Sequence, residues 1–236
     1  MIRERYKIVR ILSMSEDYIL AEAVDIQDRE TPDCLINLYG GELLHRYGRI
    51  YADLRPEQCT SFQRAFLEDI TLAAVFSNCR EGMTIDQMFF KGDKWNWPER
   101  LEYAELLLHA ALLLEEAPPE IGCAALRSDN ILFPYYRRAV ELRFAVIPMG
   151  EVNRRELALM AGDQVRKILP GRISAPDEEL AFRRQLSLFP SMVALYSAWR
   201  EAKGPIQAGY EEWDSKNLIK KGITILKRVW KRRGSK

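Results

Sequence analysis

The first third of the chain alternates apolar and polar residues in a way that predicts β-structure. Residues 6–12 (YKIVRIL) and 18–24 (YILAEAV) each follow the period of two that a half-buried strand requires. The intervening SMSED is typical of a turn, and a third strand is predicted at 34–39 (CLINLY). This spacing predicts three consecutive antiparallel strands.

A helix and a hairpin complete the predicted sheet unit. In residues 42–54 (ELLHRYGRIYADL) apolar residues recur at helical spacing, directly after Gly40-Gly41 ends the third strand. Residues 62–67 and 70–76 are two more strand-like runs, separated by Glu68-Asp69. We therefore predict five antiparallel strands and one helix.

From residue 77 onward, helical patterns dominate. Residues 77–82 (SNCREG) predict a connection, and MTIDQMFF after it predicts a short helix. The strongest helix is predicted at 99–117, with Pro98 at its first position and Pro118-Pro119 at its end. Three shorter helices are predicted, at 154–169, 177–188 and 190–202. Gly204-Pro205 predicts a linker over 204–215, before a last basic helix. The whole pattern predicts an α+β fold.

The composition excludes several classes of protein. The chain has 236 residues, of which 47% are hydrophobic and 29% charged, so it has room for one large or two small cores. Its cysteines are scattered without a CxxC pair, which predicts reduced thiols and no metal site: Cys34, Cys59, Cys79 and Cys123. With no apolar signal segment and no run near the roughly 20 apolar residues of a membrane span, we expect a cytoplasmic protein.

One stretch, residues 121–133 (IGCAALRSDNILF), resembles the catalytic loop of protein kinases, HRDLKPENILL. Laid without gaps, Cys123, Ala124 and Ala125 fall where the family has His, Arg and the catalytic Asp. Asn130 falls on the position of the second metal ligand. The order of elements around this loop, with sheet first and a long helix just before it, is also similar to that of the kinase family.

Other kinase motifs are matched in place but not in residue type. Laid on residues 12–23, the three glycines of the kinase glycine-rich loop become Ser13, Ser15 and Tyr18. Laid on residues 34–37, the phosphate-binding lysine of VAIK becomes Asn37. The metal-binding DFG motif falls on residues 148–150, as Pro148, Met149 and Gly150.

The resemblance implies a degenerate, bacterial-type pseudokinase with a shortened large lobe. Its parts would be a small lobe at 1–79, a reduced helical large lobe at 80–203, and a linker with a basic amphipathic helix at 204–236. Without the lysine, the glycines and both aspartates, we expect no catalytic residue, no ATP binding and no phosphotransfer. The protein would then act as a scaffold or regulatory module that binds another protein. Two alternatives stay open: an atypical nucleotide-dependent phosphotransferase with a rearranged cleft, and an unrelated α+β peripheral-membrane adaptor.

The near-zero net charge of +1 hides an asymmetry. Residues 216–236 hold nine Lys or Arg and no acid, whereas the first 215 residues hold 26 basic and 34 acidic groups, a net charge of −8. Ile219, Ile223, Leu226 and Trp230 recur at helical spacing in this basic end. Residues that would contact an anionic surface are Lys220, Lys221, Lys227, Arg228, Trp230, Lys231, Arg232 and Arg233. Three interpretations stay open: a last helix packed on the core, binding to the inner face of a membrane, or binding to a partner. The acidic body argues against nucleic acid.

Overall fold

The computed structural model describes residues 2–30, 32–78, 81–172 and 174–233. Its amino-terminal lobe is an antiparallel sheet with one helix. The strands are β1 (Tyr6–Met14), β2 (Tyr18–Asp25), β3 (Asp33–Tyr39), β4 (Phe62–Glu68) and β5 (Thr71–Ser77). Their order across the sheet is β1-β2-β3-β5-β4, which places β3 at the centre.

The side chains of β3 pack into two different hydrophobic clusters, because successive residues of a strand point to opposite sides of the sheet. Cys34 and Ile36 face a small cluster that includes Tyr6 and Val75. Leu35 and Tyr39 belong instead to the main core, which continues into the carboxy-terminal lobe. Asn37 lies between Leu35 and Tyr39 in the same alternation and is fully buried.

Helix α1 (Gly41–Asp53) starts immediately after β3 and buries Tyr47 and Tyr51 against the sheet. Gly41 has a φ of +49°, a conformation that favours glycine. A Cβ atom there would lie 2.4 Å from the Asp17 carboxylate. The β1–β2 turn is therefore held closely against the start of α1.

The carboxy-terminal lobe is mainly helical. Its helices are α2 (Ile85–Met88), α3 (Trp97–Leu112), α4 (Pro119–Ala125), α5 (Arg154–Ile168), α6 (Asp177–Gln185), α7 (Met192–Ser215) and α8 (Leu218–Arg233). A small sheet of β6 (Met83–Thr84), β7 (Ile131–Phe133) and β8 (Glu141–Leu142), with β7 in the middle, packs beside them. Asn96 and Asn153 begin α3 and α5 with capping boxes, in which each asparagine and a glutamate three residues later satisfy free backbone amides.

Two predicted helix ends were wrong. Helix α3 ends at Leu112 rather than at residue 117, because the chain tightens into three-residue turns in which the amides of Leu114 and Glu115 donate to Ala111 and Leu112. Helix α6 ends at Gln185, three residues before the predicted end.

The predicted linker at 204–215 was also wrong. These residues form the second half of α7, with Pro205 inside the helix. Ile206 and Tyr210, one turn apart, are buried, and a Cβ on Gly209 would lie 2.5 Å from Pro176 Cβ. The helix continues through Gly204-Pro205 because the burial of its next two turns outweighs the poor helix propensity of that pair.

The boundary predicted between the lobes, at residues 79 and 80, and the thiol of Cys79 lie outside the described residues. Among the residues that are described, none forms a helix with the length and apolar character needed to cross a bilayer.

Candidate functional site

Asn37 is the centre of a buried hydrogen-bond network between the two lobes. Its Nδ2 donates to the carbonyl of Phe144 over 3.0 Å. Its Oδ1 accepts from the Tyr18 hydroxyl at 2.9 Å and from the amide of Val146 at 2.8 Å. An amide oxygen has two lone pairs, so both acceptor positions of Oδ1 are in use. Asn37, which aligns with the phosphate-binding lysine of kinases, is therefore hydrogen-bonded to other residues of the protein.

Tyr39, two residues further along β3, extends the same network. Its hydroxyl donates to the carbonyl of Val146 at 2.8 Å and lies 2.9 Å from the Tyr51 hydroxyl. Burial raises the pKa values of Tyr18, Tyr39 and Tyr51 above that of an exposed phenol. These phenols therefore stay neutral and act as hydrogen-bonding groups. We call Tyr18, Asn37, Tyr39, Phe144 and Val146 the interlobe network.

The position predicted for the DFG motif needs correction. In kinases the β3 lysine and the metal-binding Asp act on the same phosphates, so the two positions lie side by side. The segment beside Asn37 is Phe144–Val146, four residues before the predicted Pro148–Gly150. Residues 148–150 lie along α1 instead: the amide of Met149 donates to the Tyr47 hydroxyl, and the carbonyl of Gly150 accepts from Arg46. The side chain that this segment places closest in sequence to the Asn37 contacts is the phenyl ring of Phe144, stacked on Phe76 with ring centroids 5.1 Å apart.

The loop that resembles the kinase catalytic loop begins as helix α4, which ends at Ala125. Ala125 is fully buried and carries no polar side-chain atom. Asn130 is buried too, and its Nδ2 donates to the carbonyls of Ala124 at 2.7 Å and Ala145 at 3.2 Å. Burial raises the pKa of the Cys123 thiol to about 12, so this residue at the kinase His position is a neutral thiol near pH 7. Because Asn130 donates to Ala145, the loop is joined to the segment 144–146 that lies beside Asn37.

The residues at the three glycine positions lie on and beside a short turn. Ser13 is in β1 opposite Leu20, and Ser15 donates its amide to the carbonyl of Tyr18 at 2.8 Å. Only Tyr18 points into the site, where its side chain is buried against Asn37 and Tyr39. The turn is bonded to α1 by the Gly40 amide, which donates to Asp17. Of these three residues, Tyr18 alone joins the interlobe network.

The chain segments that contribute to the network carry no carboxylate at their centre, and the buried carboxylate of Glu22 on β2 pairs with Arg143 at 3.6 Å. Neither residues 121–128 (IGCAALRS) nor residues 143–150 (RFAVIPMG) contain Asp or Glu. Asp129 is exposed and pairs with Arg127 at 3.3 Å. Within the described ranges, no three His, Cys, Asp or Glu side chains gather to form a metal site.

The predicted anionic-surface residues lie on a different part of the molecule, in α8. Trp230 is exposed, and so is Lys220. Lys221 is partly buried and donates to the carbonyl of Asp214 at 3.4 Å. The remaining basic side chains of this prediction lie outside the described part of the chain: Lys227, Arg228, Lys231, Arg232 and Arg233.

The sequence reasoning missed Tyr39 and Phe144. Tyr39 looked like an ordinary strand residue, since a buried tyrosine leaves no motif. Phe144 could have been found from its position in the chain. It lies two residues after Leu142, where β8 ends, and the segment that follows this strand reaches the cleft. The DFG motif was laid on residues 148–150 because Gly150 matches its glycine, and Phe144 was therefore not considered.

Comparison with known proteins supports the fold. No family model matches the chain, and no curated protein matches it. Among solved structures, the kinase domain of PknI from Mycobacterium tuberculosis, crystallised as a double mutant, is similar with a TM-score of 0.52 and 12% identity. The likeness covers 87% of this chain and 95% of that chain. The predicted α+β, protein kinase-like fold with a reduced helical large lobe is thus confirmed, and an unrelated α+β arrangement is excluded.

Proposed function

We propose that this protein is a catalytically inactive, kinase-like module that binds or regulates another protein. The observation that carries the proposal is the set of three hydrogen bonds that Asn37 makes within the protein. A kinase lysine is free to neutralise phosphate, whereas this amide has both acceptor positions of its oxygen and one of its donors used within the protein. A phosphate that replaced any of these partners would have to break a bond that joins residues of the interlobe network.

The charges in the cleft support the same proposal. Phosphoryl transfer depends on positioning and on compensation of negative charge by a lysine and metal ions. Here the corresponding positions hold an amide, an alanine and a phenyl ring, at Asn37, Ala125 and Phe144. Asn130 remains, but it donates its amide hydrogens to two carbonyls. A single amide oxygen is a poor magnesium site without a carboxylate.

The packing of aromatic side chains in the cleft also supports an inactive protein. The aromatic side chains on the sheet side of the network pack against one another: Tyr39 stacks on Tyr47 with centroids 4.1 Å apart, and Phe144 stacks on Phe76. Tyr18 closes the cluster from β2 at 5.2 Å from Tyr39. A ligand that entered at these rings would have to displace them, at a cost in buried apolar surface.

A surface feature suits the binding of another protein. Tyr135 and Tyr136 are adjacent, exposed, and followed by Arg137 and Arg138 in the β7–β8 connection. Tyrosine and arginine are enriched at the energetic centres of protein interfaces. This connection is the part of the large lobe that we propose for the protein contact.

An assay of ADP release tests the proposal. With magnesium and ATP, we expect no release above that of a protein-free control, and no labelling of the chain by the γ-phosphate. The variants Asn130→Ala and Gln207→Ala are measured alongside, because the first alters the cleft and the second alters only an exposed side chain. Magnesium-dependent ADP release that Asn130→Ala abolishes and Gln207→Ala preserves would contradict inactivity and favour a phosphotransferase with a rearranged cleft.

A further inference from the structure

Helix α8 carries a row of large apolar side chains that are exposed. Leu218, Ile219, Leu226 and Trp230 are exposed by 87%, 74%, 62% and 77%, and Ile223 by 50%. Ile219, Ile223, Leu226 and Trp230 follow one another at intervals of four, three and four residues, so they lie on one face of the helix. At about 100° per residue, the apolar residues of α8 fall within an arc of about 160°.

The polar side of α8, and not this apolar face, is turned toward the body of the protein. Lys221 donates to the carbonyl of Asp214, and its Nζ lies 6.0 Å from the centre of the Trp213 ring. Thr224 lines a hollow together with residues of α6 and α7, including Asp177 and Glu212. Both residues lie outside the apolar arc. The apolar face therefore does not serve as a last layer of the core.

The positive charge of residues 216–236 indicates which kind of surface would cover the apolar face of α8. Residues 216–236 contain nine Lys or Arg and no Asp or Glu. We propose that α8 lies on an anionic lipid bilayer, with Ile219, Ile223, Leu226 and Trp230 inserted at the level of the headgroups. Basic residues beside the apolar arc would contact the acidic headgroups, and a tryptophan suits the interface between water and hydrocarbon.

A bilayer fits these features better than a second copy of the chain. Pairing two copies of α8 face to face would bring two segments of charge +9 together, and these would repel each other. A bilayer with acidic lipids offers negative charge and an apolar layer on one surface, which matches the basic and apolar sides of α8. The proposal is independent of whether the kinase-like cleft is active.

Co-flotation of the full chain with vesicles tests the proposal. One set of vesicles is pure phosphatidylcholine, and the other contains one third phosphatidylglycerol. We expect binding to the anionic vesicles, and partitioning about fivefold weaker for each lysine removed in Lys220→Gln and Lys227→Gln. The double variant Ile219→Ser/Leu226→Ser should partition at least about tenfold more weakly, because two apolar side chains no longer insert. Its matched control is Ile70→Ser/Leu188→Ser, which changes two exposed apolar residues outside α8 and should bind like the unaltered chain.

A second readout follows insertion directly. The difference in emission between the unaltered chain and Trp230→Phe isolates Trp230 from the other four tryptophans, and we expect it to shift to shorter wavelength on anionic vesicles. Absence of co-flotation would overturn the proposal. Binding that the Ile219→Ser/Leu226→Ser variant retains would also overturn it, because the helix would then adsorb by charge alone. Failure to float, with dimerisation that this variant abolishes, would assign the face to a second copy.

Discussion

At the scale of single residues, the main change relative to an active kinase cleft is the replacement of a charged group by a neutral one with different partners. A lysine at position 37 would bring a positive charge into a fully buried site whose neighbours are a phenol, an amide and carbonyl groups. Asparagine can donate and accept at once, so it satisfies all three neighbours. Asparagine at this position therefore joins the two lobes through its hydrogen bonds.

The variant Asn37→Ala tests the role of the network in stability. It removes three buried hydrogen bonds and leaves the Val146 amide and the Phe144 carbonyl unpaired, so we expect a loss of about 3 kcal/mol in the free energy of unfolding. Urea unfolding measures the change. Tyr18→Phe removes only one of the three bonds and should cost about 1 kcal/mol.

The control for these variants is Gln207→Ala, which removes an exposed hydrogen bond to Glu211 and should change stability by less than about 0.5 kcal/mol. If Asn37→Ala and Tyr18→Phe are both as mild as this control, the network does not hold the lobes together.

At the scale of elements, local signals predicted the existence of helices and strands better than their ends. The strands alternate visibly, and Pro98 and Pro176 mark the starts of α3 and α6. The second half of α7 was missed because Gly204-Pro205 normally ends a helix. The helix continues because Ile206 and Tyr210 are buried against other helices. Such long-range contacts cannot be predicted from a local sequence pattern.

The variant Gly209→Ala tests whether this half of α7 is packed rather than loose. Alanine has the higher helix propensity, worth about 1 kcal/mol, but its Cβ would lie 2.5 Å from Pro176 Cβ. We expect a net loss of about 1 kcal/mol in stability, because overpacking outweighs the gain. In Gly48→Ala, the matched control in α1, no atom lies within 4 Å of the new Cβ, so thermal unfolding should show a gain of up to about 1 kcal/mol. A similar gain for Gly209→Ala would mean that residues 204–215 do not pack on the body.

At the scale of the whole molecule, the order of elements was sufficient to predict the kinase-like fold, whereas the centre of the cleft was not predictable in detail. Asn37 and Phe144 are 107 residues apart in sequence, and only the folded chain shows that they are bonded. The alignment to the kinase family predicted roles for Asn37, Ala125 and Asn130, and in the structure Asn37 and Asn130 both bond to the segment 144–146. The alignment placed residues 148–150 beside Asn37, whereas the segment bonded to Asn37 is 144–146, because a single retained glycine is a weak guide.

The most direct test of the closed, uncharged cleft is the equilibrium binding of magnesium and ATP, measured by isothermal titration calorimetry. Because Asn37 bonds to residues of the interlobe network and residues 143–150 carry no carboxylate, we expect no saturable heat and a Kd weaker than about 1 mM. A Kd in the micromolar range that depends on magnesium, and that Asn130→Ala weakens, would show that the cleft opens and holds a nucleotide, and would contradict a cleft closed by its own side chains.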